Sequence, residues 1–129
     1  MNSALLKDIG YAIIRIGIGV LLAMHGWPKI IGGVKDWEDL GGVMKDVFGI
    51  SFFPAFWGFC AAFAEFAGGI CIALGFLFRP ACALVLFVML VALSINLINN
   101  ASFGDWAESA EVGVTILGML LMGAGRFSL

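Results

Sequence analysis

Four ionisable side chains stand inside otherwise apolar stretches of this sequence: Arg15, His25, Lys29 and Glu65. Insertion into a bilayer costs about 2.5–3.5 kcal/mol for an arginine or aspartate at mid-depth, so such groups normally face a protein interior and have partners. Histidine and a carboxylate together form a set that can take up and hand on a proton. Arg15, Gly19, Gly26 and Lys29 make one stripe at helical spacing, and Gly58, Ala61, Glu65, Gly68 and Ile72 make another. Small residues interleaved with polar ones are what closely packed membrane helices place at their contacts. The two stripes are therefore expected to meet and enclose the charges. At about 1.5 Å per residue, Arg15, Glu65 and His25 fall at depths of ~9, ~20 and ~24 Å. Two expectations follow. Glu65 and Arg15 pair through the enclosed stripe, and Glu65 and His25 line a polar pocket between the first two long helices, with Trp27 and Trp57 at its mouth.

Each residue also has a plainer reading. Glu65 and Arg15 can form a purely structural ion pair, and an arginine near a helix end can extend to the headgroups. His25 can be a hydrogen-bonded interhelical histidine. Lys29 can anchor the helix at the interface, as Trp27, Trp37, Trp57 and Trp106 would. Arg79 reads as a cytoplasmic anchor, and Asn96 as an interhelical hydrogen bonder. No metal site is expected, because one histidine cannot build a centre of three or four protein ligands. Cys60 and Cys71 lie about 16 Å apart along a helix, too far for a disulfide. The three cysteines read as small buried hydrophobes.

These residues need elements to hold them, and composition says which. The chain is 62% hydrophobic and 12% charged, with a mean hydropathy of +1.07. A soluble domain is about 45–50% apolar and about 25% charged. A water-soluble fold of this size cannot hide so much apolar surface. The expected class is all-α: a transmembrane four-helix bundle in a single membrane domain, 1–129, with spans at about 9–31, 54–78, 80–98 and 110–124. The apolar runs lack the two-residue alternation of a membrane barrel. The first span is too long for a signal peptide and is expected to be retained. The net charge of −2 argues against a nucleic-acid partner.

Four spans put both termini on one side. That side carries Lys7, Arg15, Arg79 and Arg126, against Lys29, Lys35 and Lys45 on the other. The lysine and arginine bias predicts cytoplasmic termini. Between the first two spans, Trp37, Leu40, Met44 and Val47 recur at helical spacing, with Asp36 as the expected N-cap and Gly49 as the stop. An interfacial amphipathic helix across the outer mouth of the bundle is expected there, weakened by Gly41 and Gly42.

Taken in order, Arg15, the segment HGWPK with His25, Gly26 and Lys29, the segment EFAGG with Glu65, Gly68 and Gly69, and the segment LGFLFRP with Gly75 and Arg79 resemble the DoxX family of small four-helix membrane proteins. The resemblance runs from about Arg15 to the low nineties. It implies a subunit of a thiosulfate:quinone oxidoreductase, or of another membrane redox or oxidative-stress complex, in the bacterial inner membrane. On this reading the cofactor is a quinone and Glu65 and His25 relay protons. Arg15 and Lys29 complete the ligand site, and Gly26, Gly68, Gly69, Gly75 and Arg79 are structural. Partner subunits would supply any soluble catalytic step, and the chain could self-associate as a homo-oligomer. A noncatalytic scaffold or assembly factor is the competing class, and small-anion transport is a third.

Overall fold

The computed structural model describes residues 2–129, and among them it is all-helical. The elements in chain order are α1 (Ser3–Ile31), α2 (Val34–Gly41), α3 (Val43–Phe48), α4 (Pro54–Leu74), α5 (Phe78–Ile98) and α6 (Phe103–Met122). The four long helices form the bundle, and α2 and α3 occupy the predicted amphipathic connection.

Local chemistry explains where the boundaries differ from the sequence reading. The Asn2 side chain accepts a hydrogen bond from the Leu5 amide at 2.7 Å, so α1 starts six residues early. Gly75 stops α4 before Phe78 because it adopts a left-handed conformation, φ 75°. The amides of Gly75 and Phe76 return to the carbonyls of Ile72 and Cys71, the paired closure of a Schellman end. Pro80 falls in the first turn of α5 rather than at its start. α6 begins well before residue 110, with Ser102 bonded to Asp105 at 3.1 Å. Acidic side chains suit a helix N-terminus, so Asp105 does not delay the helix.

Close backbone approach organises the packing. α1 crosses α4 at Gly19 and Gly69, and again where Gly26 meets Ala62 and Phe66. α4 meets α5 where Gly68 faces Val85. Gly58 of α4 lies under Trp37 of α2, and Gly41 lies against Pro54. The connection is therefore packed onto α4 rather than laid loosely across the mouth. The N-cap of α2 is Gly33 rather than Asp36, Gly42 breaks the segment into two helices, and Gly49 ends α3 as expected.

Polarity is distributed inside out. Arg15 and Glu65 are buried at 2% and 6% exposure, while Ile13, Phe63, Val114 and Leu121 are all more than half exposed. Only a surrounding apolar solvent makes that arrangement favourable. α4 and α5 are each long and apolar enough to cross a membrane.

Candidate functional site

Glu65 meets Lys29. The Lys29 ammonium lies 3.0 and 2.8 Å from the two carboxylate oxygens of Glu65. The register of α1 on α4 dictates this partner. Because Gly26 sits against Ala62 and Phe66, Glu65 lies at the height of residues 25–26 of α1. Lys29 follows Gly26 by three residues and so shares its face of the helix. The Lys29 backbone is held in turn, since its carbonyl accepts the Trp37 indole N–H at 3.1 Å.

The expected Arg15–Glu65 pair does not form. Arg15 lies ten positions below that height, roughly 15 Å along the helix. Its guanidinium instead donates to the Ala124 and Phe127 carbonyls, both at 2.7 Å. Tyr11 donates to the Gly123 carbonyl beside it, and the Leu129 amide donates to Leu74. The C-terminal tail is thus folded under the bundle end that carries the N-terminus. Arg79 donates to the Leu120 carbonyl at 3.2 Å. Arg79 therefore serves the last turn of α6, where the helix dipole favours a cation, and Arg15 the tail that follows it. Buried Arg15 also lies against Gly75 at the end of α4, and its Nε has no partner.

His25 does not join Glu65 either. One residue of helix is about 100° of rotation, so burying Gly26 turns His25 away. Its Nδ1 lies 2.8 Å from the Leu21 carbonyl, and its Nε2 lies 3.9 Å from Glu108 of α6. The imidazole is 62% exposed. The direct His25–Glu65 contact expected for a proton relay is not formed: the imidazole meets Leu21 and Glu108 and the carboxylate meets Lys29.

The second predicted stripe also divides. Gly68 turns to α5 and Gly58 to α2, while Ala62, Phe66, Gly69 and Ala73 face α1. The contact face of α4 is rotated by about one residue from the predicted one. Gly26, Gly68 and Gly69 are each at a helix contact that a methyl group would obstruct.

A cavity of about 340 Å³ opens beside Lys29 and Glu65, between α4 and α5 rather than between α1 and α4. Trp57, Cys60 and Ala64 line it from α4, and Leu84, Phe87 and Val88 from α5. Leu40, Gly41, Val43 and Met44 of α2 and α3 cover it. Its wall is apolar except at the ion pair. Trp27 belongs elsewhere, to an open apolar groove on the outer face of α1 and α4. The α5 wall was not legible in the sequence. Leu84, Val88, Val91 and Ile95 repeat at helical spacing, but a cavity face and a lipid face of an apolar helix read alike.

A family model described as DoxX matches residues 10–97 of the chain. No curated protein and no solved structure matches it.

Proposed function

The chain belongs to the DoxX family and is a membrane protein, and on that premise we propose that it is the membrane subunit of a redox complex, with a quinone held in the cavity between α4 and α5. One observation carries the reading: an ion pair, Lys29–Glu65, is the polar end of an otherwise apolar cavity. Ligand cavities run from about 300 to 1,000 Å³ and are mostly apolar with a few placed polar groups. At about 340 Å³ this one suits a ring-sized head group. A bound quinone would supply two-electron, two-proton chemistry dissolved in the lipid phase.

The chain's own part is to bind, orient and hold a proton. Lys29 has three N–H donors and Glu65 engages two, so one remains for a carbonyl oxygen of the head group. Glu65 holds a proton-accepting carboxylate at the same place. Trp57 and the α2–α3 cap exclude water from it. Electrons enter from partner subunits. The four long helices span the bacterial inner membrane with both termini in the cytoplasm.

A quinone titration of the purified chain with its partners, in lipid nanodiscs, tests this. Tight binding weakened by Lys29→Gln and Glu65→Gln supports it. The scaffold reading draws on a different observation, that both Glu65 oxygens are already satisfied within the chain. It becomes the better reading if no quinone binds, or if both variants bind it unchanged.

A further inference from the structure

The cavity has a covered end and an open side. Gly68 faces Val85, so Leu84 lies about one helical turn further from the α2–α3 cover than Glu65 does. Leu84 and Phe87 line the cavity, yet they are 49% and 51% exposed on the outer surface of α5. They form its rim. The cavity side of the cover is apolar, with Leu40, Val43 and Met44 above the cavity and Phe48 stacked on Phe87 at 6.2 Å between centroids, while its charged residues, Glu38, Asp39, Lys45 and Asp46 among them, are exposed. A hydrophilic substrate arriving from the aqueous side would have to pass this apolar inner layer of the cover to reach the ion pair. A molecule already dissolved in the bilayer meets the cavity at its exposed apolar rim, Leu84 and Phe87.

We infer that the ligand is an amphiphile that enters sideways from the bilayer: a ring-sized polar head lies against Lys29 and Glu65, and a long apolar tail leaves between Leu84 and Phe87. The cavity volume requires the tail to leave, because about 340 Å³ accommodates a head group but not a long chain beside it. α3 is the part of the cover that borders the rim. It is six residues long and bracketed by Gly42 and Gly49, the latter at φ 72°. Its aromatic hold on α5 is the Phe48–Phe87 stack. The inference rests on the ligand reading above, but the route can be tested without a quinone.

Cys60 lines the cavity and, exposed where a buried cysteine was expected, reports on it. Its alkylation, followed by peptide mass in the full chain in nanodiscs, is compared for a membrane-soluble maleimide and a sulfonated one confined to water. The soluble reagent is expected to react several-fold faster. Leu84→Trp should slow that reaction several-fold, whereas Leu90→Trp, equally exposed but outside the cavity wall, should not. A fully substituted quinone with an isoprenoid tail should protect Cys60, and its tailless counterpart should protect it much less. Lateral entry is overturned if the sulfonated reagent matches the soluble one, if neither reacts, or if the two tryptophan variants behave alike. Equal protection by both quinones overturns the exit of the tail. If lipid-side alkylation follows the expected pattern but no quinone protects, the quinone assignment falls and the lateral route stands.

Discussion

Gly19 and Gly69 face each other across the α1–α4 crossing so closely that a Cβ on either would lie 2.5–2.6 Å from the other's carbonyl oxygen. No flexible side chain can yield there, because the obstructing atoms are backbone. The crossing fixes the register of α1 on α4, and the register selects the partner of Glu65.

Gly69→Ala should therefore force the helices apart and destabilise the fold by about 1–3 kcal/mol, the usual cost of overpacking. Gly17→Ala, on the same helix as Gly19 but with open space around it, should instead stabilise by up to about 1 kcal/mol through helix propensity. Unfolding titrations in mixed detergent micelles measure both.

Lys29→Gln leaves the Glu65 carboxylate, 8% exposed, without its counter-ion. Breaking a fully buried pair costs about 3–5 kcal/mol in soluble proteins. The Lys29 side chain is 40% exposed, so a smaller loss is expected here. The double variant with Glu65→Gln should cost less than the two single losses added together. Arg15→Gln and Glu65→Gln, being far apart, should add within about 0.5 kcal/mol. A double-mutant cycle that couples Arg15 rather than Lys29 to Glu65 would sink the assignment.

Arg15→Lys should release the C-terminal tail. Lysine keeps the charge but lacks the planar fork that reaches two carbonyls at once. A hydrogen bond from a charged donor contributes about 1.5–3 kcal/mol. Hydrogen exchange at residues 124–129 should quicken, while quinone binding stays unchanged. Protection of the tail equal to that of the parent chain would count against the clamp.

His25→Ala should leave ligand binding at Lys29 and Glu65 intact, since the imidazole faces Glu108 and not the cavity. The same titration that reads Lys29→Gln checks this. A loss on His25→Ala as large as on Lys29→Gln would return the histidine to the site.

For topology, a cysteine placed at Lys45 should react with an impermeant maleimide in intact cells. Reaction only after permeabilisation would put the α2–α3 cover on the cytoplasmic side and reverse the orientation.

Composition and the lengths of the apolar runs determined much before any contact was known. They specify the four long helices, their hairpin order and a membrane as solvent, because every backbone polar group in lipid must be satisfied within a helix or a closed barrel. The types of Arg15 and Glu65, inside apolar runs, marked where charge had to be enclosed, and Lys29 was a candidate partner. What the sequence could not decide was rotation about each helix axis and the offset between helices. A shift of one residue turns a side chain by about 100°, so Gly68 and Gly69, adjacent in sequence, pack on different helices. The same rotation takes His25 outward when Gly26 is buried. Offset decides the rest, bringing Lys29 within reach of Glu65 and leaving Arg15 for the carbonyls of a tail more than a hundred residues away. Rotation and offset are set by where backbones can touch, at Gly19, Gly26 and Gly69, and that is a property of two helices together.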